Sequence, residues 1–150
     1  LVVQLGRVAR DRAHGGARDD AVAYATLATL VAPERRAHNP LCAARRELLE
    51  ETGLKAEKVS YEVPCWLSYD LPEALIGQAL KGKYRGQKQK WFAMQFDGTD
   101  ADVRLDAHEQ VEFTDWQWRP LADCVELVVP FKRHIYQYVA NQFAHLAARG

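Results

Sequence analysis

The segment that most constrains this chain is a short helix whose beginning and end are both marked in the sequence. Asn39 followed by Pro40 is typical of an N-cap with proline at the first helical position, where a missing N–H is not needed. Gly53 follows the last helical residue, where glycine adopts a left-handed C-cap without steric cost. The sequence therefore predicts a helix from about Pro40 to Thr52.

The predicted helix carries carboxylates on one face. Glu47, Glu50 and Glu51 stand at i, i+3 and i+4, which places their Cβ atoms roughly 5–6 Å apart. One interpretation is a solvated acidic surface with an Arg46–Glu50 ion pair. The other is a hard-cation site, since Mg²⁺ and Mn²⁺ prefer carboxylate oxygens and leave positions open for phosphate. Spacing alone leaves both interpretations open.

Composition limits the class of protein. The chain has 150 residues and a formal net charge of zero, which predicts one domain and gives no sign of binding to nucleic acid or membrane through overall charge. Cys42, Cys65 and Cys124 are scattered and show no metal-ligand spacing. We therefore expect neither a disulfide framework nor a zinc site, and a reducing cytoplasm fits best.

Periodicity predicts further elements. Val59–Val63 alternates as a strand, and Trp91–Phe96 is apolar on both faces, as a central strand should be. Lys81–Lys90 reads as a basic loop. The remaining predicted elements are a strand at Val111–Trp118 with a bulge near Thr114, a short helix at Leu121–Leu127 and an amphipathic helix at Phe131–Ala148. Near the start of the chain we expect a short strand at Leu1–Leu5 and a buried helix or strand at Ala21–Ala32.

The run from Gly86 to Phe92 alternates glutamine and lysine before it becomes apolar. One interpretation is a strand edge that lysine protects against aggregation. The other is a polyphosphate clamp in which lysines act as point charges and glutamines as hydrogen-bond partners.

Several strings in the chain resemble one superfamily. R-E-L-L-E-E-T-G-L, from Arg46 to Leu54, is similar to the second half of the Nudix box, G-x5-E-x7-R-E-U-x-E-E-x-G-U, where U is a bulky aliphatic residue. Four more resemble bacterial RNA 5′-pyrophosphohydrolases and related diadenosine polyphosphate hydrolases: G-Q-K-Q-K-W-F, V-E-F-T-D-W-Q-W, V-P-F-K-R and W-L-S-Y-D-L-P. The resemblance covers roughly residues 39–146 and implies an α/β/α sandwich with a mixed sheet, the Nudix fold.

The resemblance also implies residue roles. The divalent-metal ligands, for Mg²⁺ or Mn²⁺, would be Glu47, Glu50, Glu51 and Glu112. Arg46 would hold the helix through ionic contacts. The substrate-binding residues would be Gln87, Lys88, Lys90, Phe131, Lys132 and Arg133, with Phe131 stacking on a nucleobase; a core aromatic is the alternative for Phe131.

The activity implied by the resemblance is metal-dependent hydrolysis of nucleoside polyphosphates. Two or three metal ions would polarise phosphorus and activate a water, and Glu51 or Glu112 would take its proton. The substrates would be 5′-triphosphate RNA, which loses pyrophosphate, or diadenosine polyphosphates. The alternative is a non-catalytic module that binds RNA or nucleotide in the same cleft.

Residues 1–38 depart from the family's pattern. The first glutamate and the glycine of the box would fall at His38 and Ala32, and neither residue matches. We therefore divide the single domain into a divergent segment, residues 1–38, and a Nudix hydrolase domain, residues 39–150. A frame error, a splice or a strongly diverged start would each give such a segment. With the sheet edge missing, we expect a weakened fold and impaired activity.

Overall fold

A computed structural model gives the fold for residues 3–7, 22–30, 39–55, 58–82, 84–96, 98–106, 109 and 115–147. Six strands form one sheet: β1 (Val3–Arg7), β2 (Val22–Leu30), β3 (Val59–Glu62), β4 (Leu67–Asp70), β5 (Gly86–Gln95) and β6 (Arg119–Pro120). Three α-helices accompany it: α1 (Pro40–Thr52), α2 (Leu121–Leu127) and α3 (Arg133–Ala147). None of these described helices is long and apolar enough to cross a membrane.

Strand β5 organises the sheet. Its residues from Gln87 to Gln95 pair with β2 on one side, while β3 and β4 pair with different parts of it on the other side. The strand order is β3-β5-β2-β1-β6, and all described pairs are antiparallel except β1 with β6. The sheet is therefore mixed, as the resemblance predicts.

Side chains of β5 alternate between two cores because successive residues of a strand point to opposite faces. Phe92 and Met94 pack with Ala44 and Leu48 of α1 on one face. Trp91 and Ala93 pack on the other face, with a set of side chains from α2 and α3 that includes Leu121, Val125, Ile135, Val139 and Phe143. Helices thus cover both faces of the sheet, and the predicted α/β/α sandwich is confirmed.

Strand β5 begins at Gly86, so the prediction that Lys81–Lys90 forms a loop is wrong for its second half. Polar residues in this half obscured the strand in the sequence. Gln87 and Gln89 are nevertheless buried, and the backbone here pairs with β4 on one side and β2 on the other. Two-sided pairing holds the segment extended, although its side chains lack the apolar character of a central strand.

The beginning of the chain supplies strands β1 and β2. The choice between helix and strand for Ala21–Ala32 is resolved as strand, because Val22–Leu30 pairs with β5 residue by residue. The expected gap at the sheet edge is therefore not observed. His38 and Ala32, where the Nudix box departs, lie outside the described residues.

The predicted strand Val111–Trp118 differs from the structure in its second half, and its first half, with Glu112 and the bulge near Thr114, lies outside the described residues. Residues 115–118 form no strand, and the two-residue strand β6 follows them instead. Side chains hold this segment in place: the Trp118 indole stacks on Phe96 at 6.0 Å and donates to Asp100 at 2.7 Å.

Candidate active site

Local interactions fix both ends of α1. The Asn39 side chain accepts a hydrogen bond from the Leu41 N–H at 3.1 Å, and Pro40 occupies the first helical position. At the other end Gly53 has φ 71°, and its N–H donates to Leu49 O at 2.9 Å. These are the N-cap and the left-handed C-cap predicted from the sequence, so the predicted bounds of the helix are confirmed.

Burial of one face of α1 determines where its acids lie. Ala44, Leu48 and Thr52 recur every fourth residue and are buried against the sheet. Glu47 and Glu51 flank this face and are partly buried, and one oxygen of each, Oε2, is inaccessible to solvent. A carboxylate is normally taken out of water only where another group or a metal ion compensates its charge.

Arg46 bridges two of the acids. Its Nη1 donates to both oxygens of Glu50, at 3.1 and 2.9 Å, and its Nη2 lies 3.4 Å from Glu47 Oε1. The side chain of Glu47 is only 17% exposed, whereas that of Arg46 is 59% exposed. The guanidinium therefore reaches from solvent over the acidic face and limits the repulsion between its carboxylates.

A second group of candidate residues lies on the opposite face of the sheet. Gln87 accepts hydrogen bonds from the Tyr69 hydroxyl at 3.0 Å and from the Gln89 amide at 3.1 Å. The Tyr69 ring lies 5.4 Å from the Phe131 ring, and Lys132 Nζ lies 5.0 Å from the centre of the Tyr69 ring. Aromatic rings, an ammonium and an amide thus converge where α3 begins.

Burial changes the ionisation of two groups in this cluster. It raises the pKa of the Tyr69 hydroxyl, which therefore remains a hydrogen-bond donor. It also lowers the pKa of Lys132, since the ammonium loses part of its hydration beside the two rings. Arg133 is exposed at the first residue of α3, and the neighbouring His134 places Nε2 3.0 Å from Ser68 O.

The two lysines of the β5 motif differ in their surroundings. Lys90 is 6% exposed, and its ammonium contacts Glu62 Oε1 at 2.9 Å and the carbonyl oxygens of Val63 and Pro64 at 2.5 and 2.9 Å. These contacts engage all three donors of the ammonium and tie β5 to the connection that follows β3. Lys88 is exposed and remains the better candidate for contact with substrate.

The NUDIX domain model matches residues 32–139, which is more than half of the chain. The chain belongs to this family. The Nudix chain also aligns with RNA pyrophosphohydrolases of Mesorhizobium japonicum (46% identical over 115 residues), Brucella anthropi (47% over 116) and Brucella ovis (47% over 116). Each alignment covers 75% of this chain, which spans about two thirds of the length of these relatives, at 66%, 67% and 65% respectively.

Nudix hydrolases generally need a divalent metal ion. The donor set on α1 fits a hard cation, because Glu47, Glu50 and Glu51 offer only carboxylate oxygens, two of which are buried. Among the residues that the structure describes, however, no three His, Cys, Asp or Glu side chains are already grouped as a metal site. Glu112, the fourth predicted ligand, lies outside those residues, so the ligand set stays a prediction.

Tyr69 is the member of the second group that the sequence prediction did not assign. Its signal lay in the W-L-S-Y-D-L-P string and in the alternation of β4, where Tyr69 is buried between exposed Ser68 and Asp70. What alternation could not reveal is the partner of its hydroxyl, because Gln87 is 18 residues away in the sequence.

Proposed function

We propose that this protein hydrolyses the phosphoric anhydride bonds of nucleoside polyphosphates, and that its principal reaction is pyrophosphate removal from the 5′ end of triphosphorylated RNA. The observation that carries this proposal is the alignment of 75% of the chain with proteins named RNA pyrophosphohydrolase. Diadenosine polyphosphates are the second substrate class, since they contain the same kind of bond. We expect the reaction to take place in the cytoplasm.

The acidic face of α1 supports the first part of the proposed mechanism. Glu47, Glu50 and Glu51, together with Glu112, would hold Mg²⁺ or Mn²⁺. A bound ion would offset phosphate charge and lower the pKa of a water molecule. Glu51 or Glu112 would then take the proton of the attacking water. Arg46, which already contacts two of these acids, would keep them oriented.

The opposite face supports recognition of the substrate. Phe131, which is half-buried against Tyr69, would stack on a base with its free side. Lys132 and Arg133 would place positive charge near phosphates here, and Lys88 would do so from the α1 face of β5. Lys132 lies on the face opposite the acids of α1, whereas Lys88 alternates with Gln87 along β5 and therefore shares the face of α1. A substrate that contacts both Lys132 and the acids would have to extend past the sheet, as an RNA chain or a dinucleotide can.

The decisive experiment measures pyrophosphate release from 5′-triphosphate RNA with Mg²⁺ and with EDTA. We expect release only with the metal, and a loss of about a hundredfold or more in Glu51→Gln. Glu73→Gln, at an exposed acid outside the site, is the matched control. Unchanged turnover in both Glu50→Gln and Glu51→Gln would refute the metal assignment. RNA binding without any release would instead indicate the non-catalytic module.

A further inference from the structure

A chain of hydrogen bonds runs along one face of β5 and ends at Gln87. The Trp91 indole N–H donates to Gln89 Oε1 at 3.1 Å, and Gln89 Nε2 donates to Gln87 Oε1 at 3.1 Å. The Tyr69 hydroxyl donates to the same oxygen of Gln87 at 3.0 Å. None of these four side chains is more than 6% exposed, so water competes little for the bonds between them.

Chemistry at the Trp91 end fixes the direction of every amide in this chain. An indole N–H can only donate, so the atom of Gln89 that faces it has to be the carbonyl oxygen. Gln89 then turns its NH₂ group toward Gln87, whose facing atom has to be the oxygen. Reversing either amide would set two donors or two acceptors against each other, at a cost typical of unsatisfied buried polar groups.

The consequence appears at Gln87, where the oxygen is occupied by two donors and the NH₂ group points away from both. Within the described part of the chain Gln87 Nε2 donates no hydrogen bond. It is also not fully buried, unlike the Oε2 atoms of Glu47 and Glu51. It therefore remains in contact with solvent. Two N–H donors are thus held in a fixed direction beside the Tyr69 ring.

We propose that Gln89 and Trp91 are positioning residues that hold the Gln87 amide with its N–H donors outward, so that Gln87 selects a hydrogen-bond acceptor on the substrate. The ammonium of Lys132, 5.0 Å from the centre of the Tyr69 ring, also only donates, so both groups call for an acceptor on the ligand. Phosphate oxygens and base carbonyls share the acceptor chemistry. The nucleotide nature of the ligand rests on the proposed function; the direction of the amide rests only on the contacts.

The first test is independent of activity and uses side-chain amide resonances of the ¹⁵N-labelled full chain. Gln87→Met and Gln89→Met assign the two NH₂ groups by their disappearance. We expect the Gln89 protons to be protected from a soluble paramagnetic relaxation agent and the Gln87 protons to be accessible. Equal protection of both groups would overturn the proposal. In Trp91→Phe, which keeps a ring but removes the donor, we expect the protection at Gln89 to fall.

The second test separates recognition from catalysis. Gln87→Glu replaces two donors by acceptors, so KM for 5′-triphosphate RNA should rise about tenfold with kcat within about twofold. Gln89→Met should raise KM in the same direction, while Gln78→Glu, at an exposed glutamine on another segment, should leave it unchanged. An unaltered KM in a folded Gln87→Glu protein would refute the proposal.

Inorganic triphosphate, used as a competitive inhibitor, distinguishes the source of the acceptor. Its affinity should fall in Gln87→Glu by the same factor as that of the RNA if the acceptor is a phosphate oxygen. The affinity for triphosphate should stay unchanged if the acceptor is a base carbonyl. The loss of affinity for RNA should then differ between RNAs that begin with guanosine and RNAs that begin with adenosine. If the wild-type protein releases no pyrophosphate, the proposed function fails, and the resonance test still decides the amide direction.

Discussion

Arg46 and Glu50 are one helical turn apart on α1, and a single guanidinium nitrogen, Nη1, serves both oxygens of the carboxylate at 3.1 and 2.9 Å. The other terminal nitrogen of Arg46 lies 3.4 Å from Glu47. One cation therefore sets the spacing of two acids before any metal ion arrives. Such an arrangement reduces the reorganisation that ion binding requires.

Arg46→Lys tests whether this spacing matters, because lysine keeps the positive charge but loses the planar group that bridges two carboxylates. We expect the Mg²⁺ concentration for half-maximal activity to rise severalfold. The free energy of unfolding should change by less than about 1 kcal/mol, since the pair is largely exposed. Mg²⁺ titrations of activity, with Arg45→Lys on the same helix as the control, check this. An unchanged Mg²⁺ requirement would contradict it.

Lys90→Met should destabilise the protein by about 1.5–3 kcal/mol, because the buried carbonyl oxygen of Val63 and the partly buried one of Pro64 lose a charged donor while the volume is nearly kept. Lys88→Met on the same strand is the control and should change stability by no more than about 0.5 kcal/mol, since that side chain is exposed. Urea denaturation of both variants gives the comparison. Equal stability of the two variants would show that the buried contacts of Lys90 contribute little.

Lys132 predicts a pH dependence of ligand affinity. Burial lowers its pKa, so its charge is lost at a lower pH than that of a surface lysine. Affinity for a nucleoside triphosphate, measured by calorimetry between about pH 8 and 10, should therefore fall as pH rises. Lys132→Arg should remove this fall, because a guanidinium stays charged. Parallel curves for the two proteins would argue against a contact between Lys132 and phosphate.

The lowered pKa of Lys132 makes the stability of the fold change with pH in the direction opposite to ligand affinity. The pKa of Lys132 is lower in the folded than in the unfolded chain, so the unfolded state binds more protons between the two values. The contribution of Lys132 is therefore unfavourable below the folded pKa and is relieved as pH rises toward the unfolded pKa. Affinity and this part of the stability should consequently change in opposite directions in the same pH range.

Gly53→Ala should cost roughly 1–2 kcal/mol of stability, because φ 71° crowds a Cβ atom against the following carbonyl oxygen. Asn39→Ala should cost about 1 kcal/mol through loss of the bond to Leu41 N–H. Lys55→Ala, at an exposed residue just after the helix, is the control for both. Thermal unfolding of the three variants measures the difference, and a neutral Gly53→Ala would mean that the C-cap relaxes.

Tyr24→Pro tests whether β2 lies inside the sheet. Tyr24 pairs with Gln4 on one side and Ala93 on the other, so a proline there interrupts a ladder between two neighbours. We expect a much lower unfolding midpoint than in Tyr24→Phe, which keeps the backbone donor. Similar midpoints for the two variants would contradict the pairing of β2 with both strands.

Local signals made α1 predictable, while non-local pairing hid other parts of the fold. Caps at Asn39 and Gly53 act within a few residues, so the sequence carried the bounds of the helix. Val22–Leu30 is rich in alanine, which favours helix, and only its partner strand resolves the choice. The polar start of β5 is predicted as a loop for the same reason. The hydrogen bond that Gln87 accepts when buried comes from Tyr69, which lies on another strand.

The candidate site likewise contains one contact that local spacing predicts and one that depends on non-local packing. The Arg46–Glu50 pair followed from helical spacing, and the contact is observed as expected. Only the resemblance pointed to a functional role for Phe131. Spacing could not predict the contact of Phe131 with Tyr69, because the two residues are far apart in the chain. Spacing along one element can predict an ion pair within it, but it cannot predict which elements meet.

The pairing of β2 with β5 also fixes an order of events during synthesis. Leu30 meets Gln87, 57 residues later, and Val22 meets Gln95, 73 residues later. The central ladder therefore cannot close until β5 has left the ribosome, whereas the capped helix between the two strands can form as soon as it emerges. Contacts of such long sequence separation slow folding. Until β5 emerges, β1 can pair with one edge of β2 but the other edge lacks its partner strand, so binding of a chaperone to nascent chains should concentrate on Val22–Leu30.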